Sequence, residues 1–242
     1  MKRRFRKVWI PGIYQFEYAR RLGFKRYDIM LRYYTADTNL FIAKPVENIC
    51  KKFIYVGRLL EIKGVDVLYK SVVAILPELK KNGWKFVIIG SGEKQQDFEK
   101  LAIEHDCIEY HKFLQPVDLA SKTSDGGVFV LPSNYDAWGV VVHEFALLGC
   151  PLILSEAVGS RSAFLVDEYN GKVFVTGSHD SLVDQYKFFM SQEQETLNQM
   201  GEHSQMLASN NSLDTWSFTL KSTIDEYFSG VEHKPLKRTK YQ

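Results

Sequence analysis

From Phe53 onward the chain alternates short apolar runs with amphipathic stretches, and this alternation limits its fold more than any other feature. FIYVG (53–57), WKFVIIG (84–90), IEYHKFL (108–114), GGVFVLPS (126–133), PLILSE (151–156) and GKVFV (171–175) have the length and the β-branched or aromatic content of buried strands. Between them lie helical patterns at 65–81, 93–106, 116–124 and 138–148. Strands buried on both faces and separated by helices pair in parallel, so the expected fold class is α/β, a Rossmann-like parallel sheet with helices on both faces. Ligands bind such sheets at the carboxyl ends of the strands. The turns carrying Arg58, Gly90 to Gly92, Asp136 and Gly159 to Arg161 are therefore expected on one rim.

The pattern differs at both ends. Residues 1–48 hold one short strand, one helix and a second candidate strand at 28–32, too little for a sheet of their own. They read as the remnant of another domain with its linker. Residues 49–208 form the expected ligand-binding domain, with helical segments at 180–191 and 194–208, and residues 209–242 a last helix at 214–228 and a basic tail.

The stretch 131–153, LPSNYDAWGVVVHEFALLGCPLI, places charge where a buried helix should carry none. Residues 138–148 are apolar nearly all round, as an interior helix is. Glu144 sits in their middle, with Val140, Val141, Leu147 and Leu148 at one-turn spacing. A carboxylate there needs ligand hydroxyls, a cation or a water-lined cleft. Asp136 stands just ahead, where a short carboxylate caps free N–H groups. Taken singly, Asp136 reads as a helix cap, and Glu144 equally as one half of a structural ion pair. Taken together with the amides of Ala137, Trp138, Gly139 and Val140, they could surround a polar, partly anionic ligand.

A second constellation is YVGRLLEIKG. Arg58 follows Gly57, and Lys63 with Gly64 comes five residues later, at a strand end and ahead of a helix. A forked guanidinium and a mobile ammonium suit a diphosphate, although cations at helix starts are common and solvated. The Gly-Ser-Gly at 90–92 lacks the dinucleotide fingerprint and reads alone as a tight turn.

Composition removes several classes. A net charge of +2 gives no global field for nucleic acid. The basic runs KRRFRK and KPLKRTK at the ends read as solvated tails, with attraction to an anionic membrane surface as the alternative. Cys50, Cys107 and Cys150 lack metal-ligand spacing and fit a reducing cytosol. No apolar run has transmembrane or signal-peptide length. The expected location is cytoplasmic, at most peripheral to a membrane.

In order, YVGRLLEIKG, FVIIGSGE, KFLQP, VFVLPSNYDAWGVVVHEFALLGCPLILSEAVGS and EYNGKVF resemble the carboxyl-terminal domain of retaining glycosyltransferases of family 4, which have the GT-B fold. The resemblance covers roughly 53–175 and implies transfer of a hexosyl group from a nucleoside diphosphate sugar with anomeric retention, in glycan or surface polysaccharide biosynthesis. It implies that Arg58 and Lys63 meet the diphosphate, with Gly57 and Gly90 also at the binding site, and that Glu144 meets the ribose. Asp136 with Ala137, Trp138, Gly139 and Val140 would meet the sugar, and Lys112, Phe113 and Leu114 would border the base. No metal or other cofactor is implied. Asp136 stands where the family usually has Glu, one methylene longer. Most of the family's amino-terminal, acceptor-bearing domain has no counterpart here, so the chain is expected to bind donor without transferring sugar at an enzymatic rate. His143 is expected to be structural.

The implied partners are a nucleotide sugar, a glycan or lipid-linked acceptor, and an acceptor-domain polypeptide acting in trans. The alternative of a different class is a non-catalytic nucleotide-sugar binding subunit. A GT-B sugar-nucleotide epimerase fits the Asp136–Glu144 pattern less well.

Overall fold

The computed structural model describes residues 5–42 and 45–229. Much of the two basic runs, at 2–4 and 234–240, lies outside the described residues. In chain order the elements are β1 (Val8–Trp9), α1 (Phe16–Arg21), β2 (Ile29–Met30), β3 (Lys52–Val56), α2 (Val65–Ala74), α3 (Leu76–Asn82), β4 (Lys85–Ile89), α4 (Gln95–Glu104) and β5 (Ile108–His111). There follow α5 (Pro116–Lys122), β6 (Val128–Leu131), α6 (Val140–Leu147), β7 (Leu152–Ser155), α7 (Arg161–Phe164), β8 (Gly171–Phe174), α8 (His179–Met190), α9 (Gln194–Ser209) and α10 (Leu213–Ser229). The chain divides into two compact units, Met1–Thr35 with Asn211–Gln242, and Ala36–Asn210.

The unit Ala36–Asn210 is built on a six-stranded sheet in the order β5-β4-β3-β6-β7-β8. Every pairing is parallel, so the expected fold class holds. β6 and β7 are buried along their whole length, which explains their unbroken apolar sequence. Phe53 on β3 stacks on Trp84 at 4.7 Å and meets Tyr186 of α8 at the same distance, while Phe129 stacks on Phe145 of α6 at 4.3 Å.

Three expectations on local structure change. The pattern at 65–81 forms two helices, because Pro77, at the start of α3, has no N–H to continue α2. The acid-bearing helix begins at Val140 and not at Trp138, since Gly139 takes a left-handed backbone (φ 83°) as its N-cap. The leading segment does form a sheet: β1 and β2 pair in parallel, Val8 with Ile29 and Trp9 with Met30. That other unit closes a small core of Ile10, Ala19, Phe24 and Ile29. Within it, Trp216 of α10 stacks on Trp9 at 5.2 Å and donates its indole N–H to Tyr33 O at 2.8 Å.

Candidate functional site

The order of strands decides where a crevice opens. From β3 the chain moves outward through β4 to β5, then returns to the far side of β3 with β6. Loops leaving β3 and β6 thus diverge at a topological switch point, where α/β sheets bind ligands. A cavity of about 660 Å³ lies there and is lined by Gly57, Arg58, Lys63, Gly90, Phe113, Leu114, Asp136, Gly139, Val140 and Glu144.

The exits of β3 and β6 are fastened together. Asn134 and Tyr135 donate their backbone N–H to Ile62 O at 3.0 and 3.3 Å, and the Asn134 amide donates to Glu61 O at 2.8 Å. Gly64 makes this approach possible: a Cβ there would lie 1.8 Å from Pro132 O, and its φ of 70° is left-handed. With the loops this close, Lys63 Nζ reaches Asp136 Oδ2 at 2.6 Å. The other oxygen, Asp136 Oδ1, accepts the Trp138 N–H at 3.2 Å. Arg58 is exposed on the cleft wall, and its carbonyl is fixed by the buried Tyr55 hydroxyl, which donates at 2.9 Å. Burial raises the Tyr55 hydroxyl far above the ordinary tyrosine range, keeping it a neutral donor.

Glu144 enters the same cleft from α6. Its carboxylate has no hydrogen bond or ion pair among the described residues, so the structural ion pair is not formed. Burial alone pushes its pKa up to about 7. A group in this state gains from any ligand that supplies hydroxyl donors to the carboxylate.

The third wall comes from β4 and β5. A Cβ on Gly90 would lie 1.9 Å from Gly57 O, so this glycine lets two strand exits pass in contact. Tyr110 OH donates to Gly90 O at 2.7 Å, and the Phe113 N–H donates to Ser91 Oγ at 3.1 Å. These bonds present Phe113 with 65% of its surface exposed at the cleft edge. Phe41, Ser91, Pro116 and Leu119 also line the cavity and were not singled out from sequence. Ser91 lay in the recognised Gly-Ser-Gly turn. Phe41 stood in a segment without periodicity, where nothing signalled it.

Three expected residues do not line the cavity. Lys112 is exposed, with Nζ 3.8 Å from Glu99. Ala137 is exposed, away from the lining. The Trp138 indole is buried against Phe164, and its backbone N–H serves Asp136, which removes it from the set of amides open to a ligand. Gly159, Ser160 and Arg161 likewise do not line the cavity; the first two hold the site segment through their backbones, Gly159 N–H donating to Asp136 O at 2.9 Å and Ser160 N–H to Trp138 O at 2.8 Å. His143 is fully buried and structural, as expected. Its Nδ1 accepts the Ala36 N–H at 2.9 Å, which leaves Nε2 to donate to Ala208 O at 3.1 Å, and its ring stacks on Phe164.

Among the described residues no helix is long and apolar enough to cross a membrane. Residues 41–206 match the family model described as glycosyl transferases group 1. An uncharacterized glycosyltransferase of Methanocaldococcus jannaschii is 30% identical over 125 residues, which are 50% of this chain and 31% of that relative. Sucrose-phosphate synthase from Thermosynechococcus elongatus superposes with a TM-score of 0.74 at 19% identity, over 93% of this chain and 59% of that one. The pneumococcal O-GlcNAc transferase GtfA, solved in complex with UDP and GlcNAc, gives 0.74 at 19% identity, over 92% of this chain and 45% of that one. The chain therefore spans 31%, 59% and 45% of the lengths of these three proteins.

Proposed function

Since the chain belongs to the group 1 glycosyl transferases, we propose that its cleft binds a nucleoside diphosphate sugar and is the donor half of a retaining hexosyl transfer. The observation that carries this reading is Glu144, a carboxylate without a protein partner in the cavity that also holds Arg58 and Lys63. Glu144 accepts the ribose hydroxyls, and Arg58 and Lys63 take the diphosphate. The start of α6, with Gly139 and Val140, faces the same ligand, and a helix start offers amides without intrahelical acceptors. Phe113 and Leu114 border the base. As the glycosidic bond breaks, negative charge builds on the leaving diphosphate, and the fixed cations stabilise it. The reading gives no role to a divalent cation, so a chelator leaves nucleotide binding unchanged.

The solved structures that superpose on this chain are longer, and it covers 59% and 45% of two of them. In this reading the glycan or lipid-linked acceptor is bound by residues beyond the unit Ala36–Asn210, supplied by a further polypeptide segment in cis or in trans. The chain alone binds donor without transferring sugar at an enzymatic rate. The product would enter glycan or surface polysaccharide biosynthesis.

Calorimetry with UDP, GDP and ADP tests the assignment. One of them is expected to bind, Arg58→Ala should weaken it by roughly tenfold or more, the value of one charge-assisted contact, and Lys63→Ala should do the same to its sugar conjugate. A folded protein that binds none of the three at millimolar concentration overturns the reading.

A further inference from the structure

The Lys63–Asp136 pair has a property that neither residue has alone. Asp136 is held rigidly: its N–H donates to Ala157 O at 3.2 Å, and its carbonyl accepts the Gly159 N–H at 2.9 Å. Gly139 closes in on its side chain, since a Cβ there would sit 3.2 Å from Oδ2. The Asp136 side chain is only 10% exposed and that of Lys63 21%. Lys63, on a flexible stem in the 3-10 turn just ahead of α2, is the member that can move.

Consider what separates the pair. A diphosphate attracts Lys63, but it brings no hydrogen-bond donor. It would leave Asp136 Oδ2 without its cation and place a second anion beside it in a largely water-excluded position, which is costly. A polyhydroxylated group attached to that diphosphate changes the exchange, because its O–H groups can donate to the oxygen that Lys63 gives up. Glu144 differs in kind: it has no protein partner to lose, and in the donor-site reading it meets the nucleoside, which both ligands share.

We propose that the Lys63–Asp136 pair is a specificity device that makes the cleft favour a sugar-bearing nucleoside diphosphate over the same nucleoside diphosphate without its sugar. This rests on the donor-site reading above. Once the sugar leaves, Lys63 returns to Asp136, and the spent nucleotide is held less tightly than the substrate was. Asp136 thereby distinguishes substrate from product through the cation it holds.

The test is calorimetry on the full chain with matched ligands: UDP and UDP-glucose, GDP and GDP-mannose, ADP and ADP-glucose. For the base that binds, the wild type is expected to hold the sugar conjugate more tightly. Asp136→Asn and Asp136→Ser both keep an acceptor for the Trp138 N–H, and the serine variant also empties the space beside Lys63. Each should tighten the bare nucleotide and lower the ratio of the two dissociation constants by on the order of tenfold. Glu144→Gln should weaken both ligands and leave the ratio unchanged. Failure of all three nucleotides to bind the wild type removes the donor-site reading and this inference with it. Binding with a wild-type preference for the bare nucleotide, or with a ratio unmoved in both Asp136 variants, overturns the inference and leaves the donor site standing.

Discussion

The unit Ala36–Asn210 buries Phe53, Phe86, Phe129, Phe145 and Tyr186 completely, whereas among the described residues of the unit formed by the two ends of the chain the buried apolar core is Ile10, Ala19, Phe24 and Ile29. The second unit leaves Tyr18 66%, Tyr27 56% and Phe228 81% exposed, and α10 has no fully buried residue. Hydrophobic stabilisation scales with the apolar area removed from water. The unit with the six-stranded sheet therefore has the core of an independent domain, and the other has a fraction of one. Every residue assigned to the candidate site belongs to the well-packed unit, where rigid strand ends can hold loops in register.

The same kind of cavity made in each unit should have very different consequences. Phe53→Ala removes a ring packed between Trp84, Phe86 and Tyr186. It should cost about 3 to 5 kcal/mol, lower the main melting transition and abolish nucleotide binding. Phe24→Ala should leave that transition nearly in place and speed amide exchange within residues 5–35. Thermal melts with hydrogen exchange read both. If Phe24→Ala moves the main transition as far as Phe53→Ala does, the two units unfold as one and the contrast is wrong.

What the sequence disclosed follows the same division. Strands β3, β4, β6 and β7 were legible because they are buried on both faces and read as unbroken apolar runs. β1 and β2 have two residues each, so no periodicity announced their pairing. Arg58, Lys63, Asp136 and Glu144 were each visible as charges at the end of a strand or inside an apolar helix. The bond from Lys63 to Asp136 was not, because it spans 73 residues and depends on the contact between Gly64 and Pro132. The displaced start of α6 escaped because only a glycine takes the left-handed turn at 139 freely, and a glycine within an apolar run does not say whether it is used that way.

A smaller effect comes from ionising a carboxyl group within the larger unit. Glu144 titrates near 4.5 in the unfolded chain and at about 7 in the folded one, through burial. Between those values the folded state holds the extra proton, so stability is greatest below about 4.5 and falls as pH rises to about 7. Allowing for the solvent that reaches it, the loss is about 2 to 3 kcal/mol. Glu144→Gln should match the wild type at low pH and exceed it by that amount above pH 7, while binding nucleotide less tightly. Urea melts across the pH range measure this. A variant less stable than the wild type at pH 8 would show that the carboxylate has a stabilising partner.

The smallest expected effect lies in the other unit. Trp216 stacks on Trp9 with rings 23° apart, and its indole N–H bonds to Tyr33 O. An aromatic pair of this kind adds about 0.5 to 1.5 kcal/mol beyond its buried area. Truncating it to alanine also leaves the Tyr33 carbonyl without its donor, but Tyr33 is 43% exposed, so water replaces much of that bond. Trp216→Ala should therefore raise exchange in α10 and at residues 29–35, shift the main melting transition little, and leave nucleotide affinity unchanged. The affinity is the decisive quantity. All of the cavity's lining residues fall within Ala36–Asn210, so a ring removed from the other unit can alter binding only if the two behave as one body toward the ligand. A several-fold change in the nucleotide dissociation constant would show that they do, and would extend the site beyond the sheet that builds it.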